Sequence, residues 1–281
     1  MTDTPHTNEG DFRIGQYRVL RHIAQGGMGA VYRVEDTKTG DHFAMKLAAT
    51  HRNDPERFKR IHRSLSILDH PGIQRSRRCG ITPDGRSYML FDYVGGTPAQ
   101  VFAKSMGVPG TPARTTAVVT VGIHLADALD YLHSNGIIHR DVKSANVLVR
   151  ENKSACLIDF DSAIMPNDQT NDGRFVGTYS YAPPEQLKGA GVDARSDVYA
   201  MGVLLYRMLT GKRPFEGNSP EELIHKHFNE TPTNMHQLAN GLPPQVVSII
   251  ESMLEKEPKN RPQNAKLVAQ MLRQASKPVH L

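Results

Sequence analysis

Hydrophobic and polar positions alternate over the first third of the chain, between residues 17 and 47. The alternation is interrupted by a glycine cluster and by a Thr-Gly-Asp turn at residues 39–41. This pattern predicts three antiparallel strands joined by short turns. A further apolar run over residues 88–94 predicts another strand, and two glycines end it. Between these strands, residues 54–69 carry apolar side chains at helical spacing, which predicts a helix. These apolar residues are Phe58, Ile61, Leu65 and Leu68.

After Gly96 the period of the apolar positions changes to that of helices. A stripe from Val118 to Leu132 predicts a long helix that ends at Asn135-Gly136. Residues 197–210 are apolar nearly all round, which predicts a helix buried in the middle of its unit. Two more helices are predicted over residues 243–255 and 263–275. The pattern therefore predicts a small β-rich part followed by a larger helical part.

Composition and charge exclude several classes of protein. The longest apolar run is far shorter than the roughly 20 residues that cross a bilayer, and no apolar segment follows Met1, so we expect neither a membrane span nor a secretory signal. The chain has only two cysteines, Cys79 and Cys156, which argues against a disulfide framework and favours a reducing, cytoplasmic location. They are also too far apart in sequence for a CxxC metal or redox motif. The formal charge of +5 favours anionic partners such as nucleotide phosphates. It is too small and dispersed to predict a nucleic-acid partner.

Two features of the β-rich part suit phosphate binding. The glycines of Ala24–Tyr32 lie between two predicted strands, where backbone N–H groups can approach phosphate oxygens without a Cβ clash. Lys46, on the third strand, can hold phosphates as a point charge. Each feature also has a structural explanation: a glycine-rich hairpin is commonly a tight turn, and an isolated strand lysine is commonly a solvated one.

The strongest chemical signal is a polar segment, HRDVKSAN, between two apolar stretches. Asp141 can accept a hydroxyl proton, and Lys143 can steady a transferred phosphoryl group. Asn146 offers an amide carbonyl oxygen to a hard cation, and Asp159, further along the chain, offers a carboxylate oxygen. These side chains predict a catalytic loop.

Taken together, these motifs resemble those of the eukaryotic-like protein kinases, particularly the bacterial serine/threonine kinases. The resemblance covers residues 13–275 and includes a glycine loop, AxK, HRDxKxxN, a DFG-like triplet and an APE-like triplet in the family's order. It implies an α+β, bilobal fold with a β-rich N-lobe and hinge over residues 13–94 and a mainly helical C-lobe over 95–276. We expect a disordered leader over 1–12 and a tail over 277–281.

The resemblance also implies the role of each site residue, with ATP and Mg²⁺ as cofactors. Asp141 would be the base, Lys143 its partner, and Lys46 the ligand of the α- and β-phosphates. Asn146 and Asp159 would hold Mg²⁺. The residues implied to contact the nucleotide are Ala24, Gly26, Gly29, Val31, Ala44, Lys46, Phe91, Asp92, Val94 and Leu148.

Three contacts in the helical part follow from the same resemblance. Glu185 would pair with Arg261, Asp197 would anchor the catalytic loop, and Thr178 would contact the catalytic Asp and Lys.

The family pattern is broken at four places. Ala24 replaces the first glycine of the loop, and Pro183 replaces the alanine of APE. Ile61 stands where the family has the glutamate that pairs with the strand lysine. Glu56, the nearest acid, faces about 140° away round the helix. Asp161 replaces the glycine of DFG: it adds charge near Mg²⁺, or it replaces the missing glutamate as the partner of Lys46, or it is a solvent-facing turn residue.

The favoured function is transfer of the γ-phosphate of Mg-ATP to serine and threonine hydroxyls of protein substrates. A pseudokinase that only binds nucleotide or protein remains an alternative, because of Ile61 and Asp161, and a small-molecule kinase is a second one. The resemblance also implies regulation by phosphorylation of the segment between Asp161 and Pro183, because Arg140, before the catalytic Asp, could pair with a phosphate there. By analogy with the family, Thr170 is the best-placed acceptor. We expect the input signal to come from a regulatory protein or a ligand. The basic residues around 57–63 and 75–78 form either a dock for an acidic partner or a solvated face.

Overall fold

The computed structural model describes residues 12–166, 168 and 175–277. Most of the predicted leader and tail, and Thr170, lie outside these residues. The chain divides into two compact units. One contains the residues up to Asp69 together with Gln74–Val94, and the other contains His70–Ile73 and the residues from Gly95 onward. Within the second unit, the carbonyl of Gly72 accepts a hydrogen bond from the amide of Leu157 at 2.8 Å.

The first unit is built on an antiparallel sheet. Its strands are β1 (Arg13–Ile14), β2 (Tyr17–Gly26), β3 (Gly29–Asp36), β4 (His42–Ala48), β5 (Ser76–Ile81) and β6 (Ser87–Asp92). They pair in the order β1-β2-β3-β4-β6-β5. Strands β2, β3 and β4 confirm the three strands predicted between residues 17 and 47, and β6 confirms the strand predicted over 88–94.

The apolar faces of the strands form the core of this unit. Val34, Met45 and Leu90 are completely or almost completely buried there. Helix α1 (Pro55–Ser66) begins at Asp54, whose side chain accepts a hydrogen bond from the amide of Arg57, as expected of an N-cap. Its buried residues are Phe58, Ile61 and Leu65. The predicted helical stripe is therefore confirmed, although the helix ends a few residues earlier than predicted.

The second unit is mainly helical. Its helices are α2 (Ala99–Ser105), α3 (Pro112–Ser134), α4 (Pro184–Leu187), α5 (Ala194–Thr210), α6 (Pro220–Asn229), α7 (Met235–Leu238), α8 (Pro244–Met253) and α9 (Ala265–Ala275). This unit also contains a small antiparallel sheet with the strand order β7-β8-β9. Its strands are β7 (Thr97–Pro98), β8 (Val147–Val149) and β9 (Ala155–Leu157). The α+β class predicted from the sequence is confirmed.

Helix α5 lies at the centre of the helical unit. Its side chains are buried on nearly every side, as its uniformly apolar sequence predicts. Gly202 allows close packing, because a Cβ there would lie 2.9 Å from the Cβ of Met253. The helix begins with a capping box at Asp193 and ends at Gly211, whose φ of 81° is the left-handed conformation that favours glycine. Among the described residues, the helices are all too short or too polar to cross a membrane.

Candidate active site

The glycine loop is the tight hairpin between β2 and β3. Gly26 pairs with Gly29 at its tip, and Ala24 lies opposite Val31. Ala24 and Gly26 are exposed, whereas Gly29 is buried. Gly29 has a φ of 145°, and a Cβ there would lie 2.0 Å from the carbonyl oxygen of Leu47. Only glycine fits this position, so the close turn of the loop depends on Gly29.

We expect Gly29→Ala to lower the free energy of unfolding by roughly 1–3 kcal/mol, because the new Cβ requires the backbone to move. Gly27→Ala is the matched control: Gly27 is in the same hairpin, and a Cβ there meets nothing within 4 Å. Urea denaturation of both variants measures the difference. Equal losses in the two variants would show that the close approach to Leu47 has no energetic weight.

Lys46 lies on β4, half-buried, opposite Val31 on one neighbouring strand and Met89 on the other. On the same strand Ala44 is buried opposite Phe91. In α1 the position expected to hold a glutamate is Ile61, which is buried in the apolar face of the helix.

Glu56, the nearest acid in sequence to Ile61, has an exposed side chain and pairs with Lys59 at 2.8 Å. These contacts agree with the expectation that the family's glutamate is absent from this helix.

Residues 91–94, the predicted hinge, are held within the first unit by Asp92. Its carboxylate accepts two hydrogen bonds from the guanidinium of Arg77, at 2.5 and 2.8 Å. The pKa of Arg77 is raised, chiefly by this hydrogen bond. The backbone carbonyl of Asp92 accepts a third from the Nε2 of buried Gln74 at 3.0 Å. Sequence reasoning missed Gln74, because no motif marks it. Val94 ends this unit, and Leu148 lies half-buried on β8 of the other unit.

The catalytic loop brings together four of the residues singled out in the sequence. The Oδ1 of buried Asp141 accepts a hydrogen bond from the hydroxyl of Thr178 at 2.7 Å. Its Oδ2 accepts from the Nζ of Lys143 at 2.6 Å and from the Nδ2 of Asn146 at 3.0 Å. Lys143 also donates to the Thr178 hydroxyl at 3.0 Å. The expected contact of Thr178 with both the Asp and the Lys is confirmed.

The side chain of Asn146 is oriented by its amide nitrogen. This nitrogen donates to the carbonyl of Asp141 at 2.9 Å as well as to its carboxylate, so both amide protons are used. The carbonyl oxygen of Asn146 is then the atom that suits a hard cation.

Asp159 follows β9 with a φ of 62°, a left-handed conformation that few residues other than glycine adopt. Among the described residues no group of three or more His, Cys, Asp or Glu side chains could hold a metal. Mg²⁺ differs from metals that need such a group, because it is commonly held by one or two side chains with phosphate and water. The donor set of Asn146 and Asp159 fits Mg²⁺ in this respect.

Asp197, on buried α5, anchors the catalytic loop as expected. Its Oδ2 accepts from the amide of His139 at 2.9 Å, and its Oδ1 accepts from the amide of Arg140 at 2.8 Å. The Nε2 of His133 contacts Oδ2 at 2.8 Å. Burial opposes the charge, but these hydrogen bonds and the two imidazoles outweigh it and lower the pKa of Asp197. Arg140 has a φ of 63°, so the carboxylate stabilises a backbone conformation that is costly without it.

The predicted pair of Glu185 and Arg261 is confirmed. Two parallel hydrogen bonds, at 2.7 and 2.8 Å, join the carboxylate to the guanidinium. The Arg261 side chain is completely buried, and it also donates to the backbone carbonyls of Arg195, Glu255 and Lys256. The pair ties α4 to the segment before α9.

A cavity of about 380 Å³ opens beside the catalytic loop, within the helical unit. Thr178, Tyr179 and Ser180 form one wall, and Gly217–Pro220 with Leu223 form the other. Thr178, which lines this cavity, also donates a hydrogen bond to Asp141, which does not line it.

Comparison with known proteins identifies the family to which the chain belongs. The sequence profile described as Protein kinase domain matches residues 17–273. The DNA damage-responsive serine/threonine-protein kinase RqkA of Deinococcus radiodurans is 32% identical over 93% of this chain and 40% of its own length. Serine/threonine-protein kinase PknB of Mycobacterium tuberculosis is 34% identical over 94% of this chain and 42% of its own. Serine/threonine-protein kinase Pkn1 of Myxococcus xanthus is 34% identical over 89% of this chain and 36% of its own length. The chain thus spans about two fifths of the length of these relatives.

Proposed function

Because the chain belongs to the protein kinase family, we propose that it transfers the γ-phosphoryl group of Mg-ATP to serine or threonine hydroxyls of protein substrates. One observation carries the proposal: the carboxylate of Asp141 is held by Lys143, Asn146 and Thr178 at hydrogen-bond distance. A scaffold that only binds other proteins has no need of a fixed carboxylate among three polar partners. The resemblance to kinases that are named for serine and threonine supports the class of acceptor.

In this proposal Asp141 accepts the proton of the substrate hydroxyl as the new oxygen–phosphorus bond forms. The bond between the γ-phosphorus and the β,γ-bridging oxygen breaks, and ADP is the leaving group. Lys143 and Thr178 keep the carboxylate in one orientation. The ammonium of Lys143 also stabilises negative charge on the transferred group, because it lies 2.6 Å from Asp141 and thus beside the acceptor. Catalysis by these residues is positioning and electrostatics.

The residues that contact the nucleotide are assigned from the family resemblance. We propose that Lys46 binds the α- and β-phosphates, and that the hinge residues Asp92, Tyr93 and Val94 hydrogen-bond adenine. The remaining residues assigned to the nucleotide are Ala24, Gly26, Gly29, Val31, Ala44, Phe91 and Leu148. The lobe bounds proposed with this assignment are 13–94 and 95–276.

Asn146 and Asp159 are the residues assigned to Mg²⁺. When bound, Mg²⁺ neutralises phosphate charge and orients the phosphates. Asp161 follows Asp159 by two residues and is half-buried. The three roles proposed for Asp161 are an added carboxylate near the cation, the partner of Lys46, and a solvent-facing residue of the turn.

Regulation and location are part of the proposal. Thr170, as the acceptor of an activating phosphate, and a regulatory protein as the source of the signal both rest on the resemblance. The cytoplasm is proposed as the location, because the sequence favours a reducing compartment.

The experiment is a phosphate-transfer assay with labelled ATP, Mg²⁺ and a generic basic protein as acceptor. We expect label on serine and threonine of the acceptor, identified by mass spectrometry, and none when EDTA is added. A thermal shift with Mg-ATP and no transferred label would favour a pseudokinase instead. Label on a small metabolite only would favour a small-molecule kinase.

A further inference from the structure

Gln186, the third residue of α4, is buried and lies against the segment that leads to Thr178. Its Nε2 donates one hydrogen bond to the carbonyl of Arg140 at 2.9 Å and another to the carbonyl of Val176 at 2.5 Å. The amide group therefore links the residue before the catalytic Asp141 to the residue two before Thr178.

The chemistry of this link requires a donor. Both partners are backbone carbonyl oxygens, which only accept hydrogen bonds, and the NH₂ group of glutamine supplies two protons at one atom. A glutamate of the same size would place oxygen against both carbonyls. An apolar side chain of the same size would leave two partly buried carbonyls without this donor.

The absence of a side chain at Gly177 leaves room for the amide group of Gln186. Gly177 has a φ of 131°, and a Cβ there would lie 2.7 Å from the Nε2 of Gln186 and 2.9 Å from the Arg140 carbonyl. Arg140 is itself in a left-handed conformation, and Asp197 holds its amide. Gln186 holds the carbonyl of the same residue. The two contacts fix Arg140 from both sides.

We propose that Gln186 is a positioning residue for the phosphoryl transfer. It sets the distance between the catalytic loop and the segment 176–178, so that the Thr178 hydroxyl meets Asp141 and Lys143. Only the kinetic consequence of this proposal depends on the proposed function. The hydrogen-bond link itself is testable without activity.

The test uses the full chain with Gln186→Met, which keeps the size of the side chain and removes the donor. Gln263→Met is the matched control, because the Nε2 of exposed Gln263 also donates to backbone carbonyls, far along the chain from the catalytic loop. Hydrogen exchange at residues 176–179 reports the link. We expect exchange there to accelerate roughly tenfold or more in Gln186→Met, as a local opening becomes easier, and to stay unchanged in the control.

Steady-state kinetics separates positioning from general loss of stability. We expect kcat/KM for the protein substrate to fall roughly tenfold to hundredfold, with KM for ATP unchanged. Gly177→Ala disturbs the same contact, because its Cβ would meet the Nε2 of Gln186. The double variant should therefore lose no more kcat/KM than the more impaired of the two single variants.

Unchanged exchange in Gln186→Met, or losses that multiply in the double variant, would overturn the proposal. An equal rise in KM for ATP and for the protein substrate would also overturn it. If Gln186→Met does not fold, Gly177→Ala alone is judged by the same exchange criterion. A parent protein without kinase activity refutes the proposed function, and the exchange result still decides the link.

Discussion

Asp141→Asn is expected to lower kcat by roughly 10²- to 10⁴-fold, the contribution of a positioned general base. The variant keeps the size of the side chain but cannot accept the substrate proton. In the parent, Lys143 and Thr178 donate hydrogen bonds to the two carboxylate oxygens of Asp141. The asparagine would place an NH₂ group, which is itself a donor, against one of these two donors. The affinity for Mg-ADP should stay close to that of the parent, because Asp141 is not assigned to the nucleotide.

Single-turnover phosphate transfer and a calorimetric titration with Mg-ADP measure the two quantities on the same preparation. Asp127→Asn is the control, since Asp127 lies on α3 and its carboxylate pairs with Arg273. If Asp141→Asn keeps the parent's rate, either Asp141 is not the base or the activity comes from a contaminating kinase. If it loses rate and nucleotide affinity together, the carboxylate has a different role.

Glu185→Ala is expected to lower the free energy of unfolding by about 3–5 kcal/mol, because it leaves a buried guanidinium without its counter-charge. The Arg261 side chain is 0% exposed, so water cannot replace the lost carboxylate. The backbone carbonyls that Arg261 also contacts carry only partial charges.

Asp127→Ala is the matched control for the stability measurement. It breaks an ion pair of the same 2.6–2.7 Å length between side chains that are 48% and 35% exposed. An exposed pair contributes about 0–1 kcal/mol, so this variant should unfold nearly as the parent does. Urea denaturation of both variants gives the comparison. Equal losses would show that burial does not govern the strength of the Glu185–Arg261 pair.

The elements with a clear hydrophobic period were predictable from the sequence. Strands β2, β3 and β4 alternate, and α1, α3 and α5 carry apolar stripes or faces, so local patterning specifies each of them. Strands β7 and β8 were not predicted. They are only two or three residues long, and such strands are specified by their neighbours in the fold.

The same distinction applies to the site. Asp141, Lys143 and Asn146 stand close together in a polar segment, and this made them visible. Gln74 and Gln186 were not found, because each acts on backbone carbonyls that are distant in sequence and neither belongs to a motif with a chemical signature. The left-handed conformations of Arg140 and Asp159 were also unpredictable, since no glycine marks them. Tertiary hydrogen bonds, such as those of Asp197, hold Arg140 in place.

The central proposal is that Lys46 binds the phosphates of ATP and that Asp159 binds the Mg²⁺ that accompanies them. The most direct test is covalent labelling with an ATP analogue that carries a reactive acyl group on its γ-phosphate, followed by peptide mapping. The account predicts that Lys46 is the main labelled lysine, that Mg-ATP blocks its labelling, and that Asp159→Asn removes the dependence of this block on Mg²⁺. Labelling spread over exposed lysines and indifferent to ATP would contradict the claim.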